Sequence, residues 1–276
     1  MTGPDVAAAL AQGRALGLDR LDAHVLLGHV LGRPRTWLIA HGEAVLGAAE
    51  AAAWRALAER RAGGEPLAYL VGAKEFHGLP LRVNPQVLIP RPETEILVDR
   101  AIEILRTAQL GAARPRVVDL GTGSGAVALA LKAAVPAAVI FASDESEAAL
   151  EVARANAARL GLEVEFRAGS WWQPWAGQRF DLVVSNPPYV AEADPHLAAL
   201  RHEPVTALSA GVDGLADLNV IVRGAAGHLH PGGSLWLEHG FDQAPAVTEM
   251  LRAAGFAGLQ TCADLGGRPR CTGGRL

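Results

Sequence analysis

Short apolar runs and amphipathic stretches alternate along most of this chain, and their spacing predicts a layered α/β protein. Runs at 116–120, 138–143, 163–167, 180–185, 233–238, 256–262 and 270–275 read as strands. Amphipathic segments near 92–109, 124–134, 146–160, 214–229 and 242–254 read as helices between them. Such alternation implies a mostly parallel sheet covered on both faces. The last two strands follow one another without a helix, so one of them is expected to run antiparallel. Residues 73–90 instead alternate apolar and polar around Phe76, Leu79, Leu81 and Val83, with His77-Gly78 at the turn, which predicts a β-hairpin.

The stretch from Pro4 to about Gly63 is helical throughout. Leu18, Leu21, Val25 and Gly28 recur at helical spacing behind Asp19, a ready N-cap. Gly47 to Arg61 forms another helix with Trp54, Leu57 and Ala58 on one face, and Gly63-Gly64 stops it. Short connections make this a small bundle. Such a bundle either stabilises its neighbour as a cap or docks a partner.

Composition narrows the function class. The chain has 276 residues, 50% hydrophobic and 20% charged, with a formal net charge of −4. That balance argues against affinity built on phosphate neutralisation, and Lys occurs only at 74 and 132. Cys262 and Cys271 are too few for a disulfide framework. No signal-peptide layout and no apolar run approaching membrane-spanning length are seen, so a cytoplasmic, membrane-independent monomer is expected. His24 and His29 are off the spacing that places two ligands on one helix face, and His228 and His230 flank Leu229 near a Pro-Gly-Gly turn, where a surface position is expected. No metal site is expected.

The chemistry concentrates at strand ends. Val117-Val118-Asp119-Leu120-Gly121-Thr122-Gly123-Ser124-Gly125 is a strand followed by a Gly-rich turn, and a helix follows it. Such a turn lets a ligand approach the backbone and the free N–H groups of the helix start. Gly121, Gly123 and Ala126 also satisfy the dinucleotide pattern, so the loop alone does not choose among nucleotides. Asp144 ends a second strand about 25 residues after Asp119, where a carboxylate can take both ribose hydroxyls. It could equally cap the helix that starts near Glu147. Asn186-Pro187-Pro188-Tyr189 follows the apolar strand Phe180–Ser185. Asn offers an acceptor and two donors, the prolines stiffen the loop and free its carbonyls, and Tyr189 can stack on a flat target. Read so, it clamps an sp2 amino nitrogen; read blandly, it is an ordinary turn.

Gly loop, Asp144 and Asn-Pro-Pro-Tyr in this order resemble the class I S-adenosylmethionine-dependent methyltransferases that methylate amino groups. Gly64–Gly72, Glu75–Leu79, Val87-Leu88-Ile89-Pro90-Arg91-Pro92-Glu93-Thr94-Glu95, Asp194–Leu197, Arg201–Pro204 and Leu237-Glu238-His239-Gly240 narrow the resemblance to the release-factor glutamine methyltransferases, the HemK/PrmC family. It runs from about Gly64 to the C-terminus. It implies an N-terminal helical substrate-docking domain at 1–72, a linking hairpin at 73–90, and a Rossmann-like, seven-stranded methyltransferase domain at 91–276. The implied substrate is the glutamine of the Gly-Gly-Gln motif in class I peptide-chain release factors, methylated at N5, with no nucleic acid as direct partner. DNA or RNA amino-methylation is the alternative, since adenine N6 and cytosine N4 present the same planar NH2.

The resemblance also assigns roles. Gly121, Thr122, Gly123, Ser124 and Gly125 would wrap the methionine part of S-adenosylmethionine, Asp144 the ribose and Trp171 the adenine, with Asn186 beside the cofactor. Asn186, Pro187, Pro188 and Tyr189 would bind the substrate amide, with Asn186, Pro187 and Tyr189 catalytic. Ser170 stands where relatives carry an acid, which puts a hydrogen bond to the adenine amino group in question. Trp172 and Trp175 are expected in core or rim. Asp119 is expected to support the Gly loop, and Arg91, Glu93 and Glu95 to shape the substrate mouth.

Overall fold

The structure is a computed structural model in which residues 3–107 and 114–276 are described. The chain divides into two compact units, Met1–Ala73 and Lys74–Leu276.

Five helices make the first unit: α1 (Val6–Ala15), α2 (Arg20–Leu31), α3 (Arg35–Ala40), α4 (Ala48–Ala62) and α5 (Leu67–Val71). Their starts are set by side chains. Asp5 accepts from Ala8 N at 2.7 Å and Asp19 from Asp22 N at 2.8 Å. At α4 the Glu50 carboxylate reaches back to Gly47 N at 2.7 Å. Each satisfies a backbone donor that helix geometry leaves unpaired. The apolar faces meet around the fully buried Leu26, Leu27, Leu38 and Trp54. The Arg61 guanidinium pairs with the buried Asp22 beside this core, at 2.5 Å.

The second unit opens with β1 (Ala73–Phe76) and β2 (Leu79–Arg82), a two-stranded sheet turning at His77-Gly78. Its main sheet has seven strands, β3 (Arg116–Leu120), β4 (Val139–Asp144), β5 (Glu165–Ala168), β6 (Phe180–Ser185), β7 (Leu229–Glu238), β8 (Ala257–Ala263) and β9 (Pro269–Arg275), in the order β5-β4-β3-β6-β7-β9-β8. β5, β4, β3, β6 and β7 pair in parallel, and β9 runs antiparallel to both β7 and β8. The alternation predicts the α/β class, and the resemblance implies this seven-stranded class I methyltransferase architecture.

Period-two alternation sends neighbouring residues to opposite faces. Val117, Ile140, Leu182 and Val184 pack on one side, with α6 (Glu95–Arg106) and α7 (Ala126–Ala134). Val118, Phe141, Val183 and Leu235 pack on the other, with α9 (Ala216–His228) and α10 (Ala244–Ala253). α8 (Glu147–Leu160) completes the set, its N-cap being Ser146, whose hydroxyl accepts from Ala149 N at 3.2 Å. Asp144 is therefore released from the capping role open to it in the sequence.

Two boundaries differ from expectation. The helix read at 92–109 begins as a 3-10 turn at Pro92–Thr94 before α6, and its last positions, 108 and 109, lie outside the described residues. β7 starts at Leu229, before the Pro-Gly-Gly segment, because Leu229 already pairs with Phe180 and the extra residues bulge out before Ser234 resumes opposite Leu182. His228 is accordingly half-buried, stacked on Trp172 with ring centroids 4.5 Å apart.

Asn156, fully buried on α8, ties the hairpin to the Gly loop. Its Oδ1 accepts from Arg82 N at 2.7 Å, and its Nδ2 donates to the carbonyls of Arg82 and Ser124, each at 3.0 Å. Replacing it by Ala leaves three backbone groups without this partner in a dry setting. Asn156→Ala should lower unfolding free energy by roughly 2–4 kcal/mol, read from urea denaturation at unchanged m-value.

Candidate active site

Strand order reverses beside β3, whose neighbours β4 and β6 lead to opposite halves of the sheet. Open α/β sheets place ligands at the carboxyl ends of strands at such a point. A cavity of about 300 Å³ lies there, lined by Gly121 and Gly123 after β3, Asp144 at the end of β4, Ser170 and Trp171 after β5, and Asn186 and Pro188 after β6. A smaller hollow beside it is lined by Thr122, Ser124, Asp119 and Arg91, and shares Gly121, Gly123 and Asn186. Gly125, Pro187 and Tyr189 line neither space. Gly125 precedes α7 with φ of 83°, and a Cβ there would meet Leu129 and Ala153.

Buried carboxylates hold the Gly loop open. Asp119 Oδ2 accepts from Thr122 Oγ1 at 2.6 Å and from Ala128 N at 3.2 Å. Asp144 Oδ2 accepts from Gly123 N at 2.9 Å while its Oδ1 accepts from Ser146 N. With these bonds the loop curves away from the cavity. Gly121 adopts φ of 74°, and a Cβ at that position would lie 3.3 Å from the Trp171 ring. The space a side chain would fill is thus left for a ligand against an aromatic face. Trp171 itself sits at φ of 43°, a cost of order 1 kcal/mol or more that places its indole over this wall. The indole N–H bonds Asp217, an acid on α9 whose carboxyl is raised by burial against that hydrogen bond. Asp217 also lines the cavity, and nothing in the sequence pattern had distinguished it.

At β6 a single hydrogen bond orients the Asn186 carboxamide. Its Nδ2 donates to Thr94 Oγ1 at 3.1 Å, while its Oδ1 accepts from no described residue. The loop behind it is held by Tyr189 N and Val190 N on the Leu208 carbonyl and by Gln243 Nε2 on the Tyr189 carbonyl at 3.0 Å. The Tyr189 hydroxyl turns inward and donates to Glu238 Oε1 at 3.2 Å, at the end of β7. Thr94 and Glu238 both fall in segments that carried the family resemblance, but neither had been given a role. The one signal was an acid closing the apolar run Leu235-Trp236-Leu237.

Arg91 and Glu203 form an ion pair, and Glu203 also accepts from Ile89 N at 3.0 Å, which pins the segment before the Thr94 turn. Glu95 accepts from His77 N at 2.9 Å and so serves the hairpin turn. Trp172 donates to the Ile221 carbonyl, and the fully buried Trp175 to Ser143 Oγ. His239, also buried, bridges the Gly240 carbonyl and Thr272 Oγ1. Among the described residues no group of three His, Cys, Asp or Glu side chains is placed to hold a metal ion, and no helix is long and apolar enough to cross a membrane.

Burial pushes two of these acids up to about 7, Asp119 from 3.8 and Glu238 from 4.5. For Asp119 the hydrogen bonds from Thr122 and Ala128 oppose the burial; for Glu238 those from Thr94 and Tyr189 do. A folded-state pKa above the unfolded value means stability that is complete below about pH 4 and lost as pH rises through about 7. Thermal denaturation should therefore show this contribution falling between those limits, and the isosteric Glu238→Gln should flatten its share of the slope.

Comparison with known proteins agrees with this geometry. A family model described as methyltransferase small domain matches residues 95–207, and one described as PrmC N-terminal domain matches 6–72. The chain resembles the solved hMettl16 catalytic domain in complex with MAT2A 3'UTR hairpin 6, with a TM-score of 0.56 at 17% identity over 79% of this chain and 81% of that one. A similar fold occurs in a Thermus thermophilus 16S rRNA N2 methyltransferase in complex with AdoMet and guanosine, with a TM-score of 0.55 at 19% identity over 74% and 49% of the two chains. Proteins named release factor glutamine methyltransferase are far more similar in sequence. That of Bordetella pertussis is 51% identical over 94% of this chain and 96% of its own, and that of Burkholderia pseudomallei 50% over 100% and 98%. The Escherichia coli K12 protein is 43% identical over 97% and 96%. This chain belongs to the release factor glutamine methyltransferase family.

Proposed function

We propose that this protein transfers the methyl group of S-adenosyl-L-methionine to the side-chain N5 of the glutamine in the Gly-Gly-Gln motif of class I peptide-chain release factors, in the cytoplasm, with S-adenosyl-L-homocysteine as the other product. The observation that carries this reading is the Asn186 carboxamide, whose Nδ2 is occupied by Thr94 while Oδ1 is left as an acceptor beside the cavity.

The residues present suit the cofactor. The backbone of Gly121 leaves room where a Cβ would stand, Trp171 offers a flat face, and Asp144 presents a carboxylate at the cavity wall. In this reading Gly121, Thr122, Gly123 and Ser124 hold the methionine portion, Asp144 the ribose hydroxyls, and Trp171 the adenine. Gly125 supports the turn. Ser170 lines the cavity beside Trp171 and offers a hydroxyl where an acid would otherwise stand. When bound, the cofactor supplies an electrophilic methyl on a sulfonium.

An amide nitrogen is a weak nucleophile because its lone pair is delocalised into the carbonyl. Asn186 Oδ1 and the Pro187 carbonyl, neither of which accepts from a described residue, would take its two hydrogens. That points the nitrogen at the methyl and favours the pyramidal geometry in which the lone pair is localised. Pro188 walls the cavity, and Tyr189, which lines neither hollow, braces the loop through Glu238. No base need act before attack, because an N-methylated amide cation is strongly acidic and loses its proton afterwards. Positioning and fixed dipoles supply the acceleration.

In this reading residues 1–72 grip the release factor, 73–90 link, and 91–276 perform the transfer. Exposed Leu16, Leu21, Ile39 and Val45 give the first unit large apolar contact points.

Two experiments test the proposal. With labelled S-adenosylmethionine and an isolated release factor, peptide mapping should place one methyl on the Gly-Gly-Gln glutamine; Asn186→Ala should slow transfer on the order of 100- to 1,000-fold, and Asp144→Ala should weaken cofactor binding roughly ten- to a hundredfold by calorimetry. Methylation of duplex DNA or RNA in place of the release factor would overturn it. For the docking role, Ile39→Glu should raise the KM for the release factor by about tenfold or more with the cofactor Kd unchanged; an unaltered KM would leave the bundle as a stabilising cap.

A further inference from the structure

Glu238 closes β7 and is 1% exposed, yet it is hydrogen-bonded to the Asn-Pro-Pro-Tyr loop. Its Oε1 receives the Tyr189 hydroxyl. Its Oε2 is buried with no hydrogen-bond partner among the described residues, and the Thr94 hydroxyl is the other side-chain donor that acts on this carboxylate. Thr94 is itself 4% exposed and receives Asn186 Nδ2 on the same oxygen. Asn186–Thr94 and Tyr189–Glu238 are thus two hydrogen-bonded pairs, and a proton turned from Thr94 to the unpaired Oε2 would join them as one relay from the interior to the cavity.

Proton counting gives that relay a direction. An ionised carboxylate only accepts, so the hydroxyls of Tyr189 and Thr94 must both donate to it. Thr94 has one proton; once it points at Glu238, Oγ1 can offer Asn186 nothing but lone pairs. Asn186 must then meet Thr94 with its NH2, which leaves Oδ1, and not Nδ2, facing the substrate. A neutral Glu238 removes the constraint: its own O–H can donate to Thr94, the Thr94 proton can turn to Asn186 Oδ1, and the carboxamide can flip to present donors where the reaction needs an acceptor.

We propose that Glu238 and Thr94 are positioning residues that set which end of the Asn186 carboxamide faces the substrate. The role rests on the methyl-transfer reading above and deepens it. Burial holds the Glu238 carboxyl near 7, so the relay changes state in the neutral range. Besides Tyr189 and Thr94, the groups that bear on Glu238 are Arg270, which favours its charged form, Glu93, which opposes it, and Cys271, its partner across the β7–β9 ladder. Arg270 is already paired with Asp264 at 2.8 Å, which leaves the two hydroxyls as the direct donors.

The test uses the full chain labelled with 15N at asparagine, so that the Asn186 side-chain amide is followed by NMR between about pH 5 and about pH 9, across the range where a buried carboxyl of this kind titrates. In the wild type its signals should shift with a midpoint near 7, a shift absent from the isosteric variants Glu238→Gln and Thr94→Val and retained in Thr94→Ser. In parallel, methyl transfer to a release factor should rise in kcat with pH through the same midpoint. Thr94→Val should lose roughly ten- to a hundredfold in kcat with the KM for S-adenosylmethionine unchanged, Thr94→Ser should recover most of it, and Glu238→Gln should be slow at every pH. Amide signals that do not move with pH, or a Thr94→Val variant that turns over like the wild type, overturn the relay. A wild-type protein that fails to methylate any release factor overturns the proposed function instead, and the NMR measurement then decides the relay by itself.

Discussion

Everything at the site depends on β3 and β6 being hydrogen-bonded neighbours. Their parallel register sets Leu120 opposite Ser185, and Ser185 Oγ donates to the Leu120 carbonyl at 2.6 Å, which locks the two strand ends together. The next residue on each strand is then Gly121 and Asn186. Under the proposed function one opens the cofactor wall and the other carries the acceptor, so one ladder would bring together the two halves of a group transfer. A one-residue slip would turn every side chain of β6 to the opposite face and put Ser185 where Asn186 stands. The apolar packing of Leu182 and Val184 on one side and Val183 on the other forbids that slip. Core packing and chemical register are the same constraint.

The polar groups buried around this junction are costly to fold and are arranged so that each holds a loop. Asp119 and Asp144 between them take the hydroxyl of Thr122 and the backbone N–H groups of Gly123, Ser146 and Ala128, and Asn156 takes the backbone of Arg82 and Ser124. None of these bonds is large in net free energy, since each replaces a bond to water. What they supply is shape: the loop after β3 cannot relax into the cavity without orphaning a buried group. A preorganised cavity wall is what electrostatic catalysis requires, because dipoles already in place need not reorganise during reaction.

The fold was legible in the sequence because its signals are local. Apolar runs, Gly turns and caps such as Asp19 report on their own neighbourhood, and the observed strands begin and end within a residue or two of the expected ones except at β7. There Leu229 pairs across a bulge that no local pattern announces. The site was legible only in part, for the same reason. Gly121, Asp144, Trp171 and Asn186 lie in motifs contiguous in sequence. Asp217 and Asn156 reach the site from helices whose polar residues look like any solvated face, and Thr94 meets Asn186 across 92 positions. Asp144 and Ser146 show a milder version. Both are good capping residues, and only the three-dimensional path of the Gly loop decides which of them caps α8.

The identity of residue 186 follows from the acid behind it. A carboxylate there would accept hydrogens in either orientation and would need no relay to point it. It would, however, sit on the same Thr94 hydroxyl that already serves Glu238, and two acids competing for one donor in a dry site push at least one into its neutral form. A neutral carboxylic acid presents a donor to the substrate as readily as an acceptor. The carboxamide cannot ionise, so it keeps one acceptor and two donors at every pH, and its only ambiguity is a rotation by half a turn. Thr94 removes that ambiguity by accepting the NH2. Under the proposed relay Asn at 186 and Glu at 238 are a matched pair: the charge stays in the interior, on the far side of a hydroxyl, and the substrate would meet only its orienting effect.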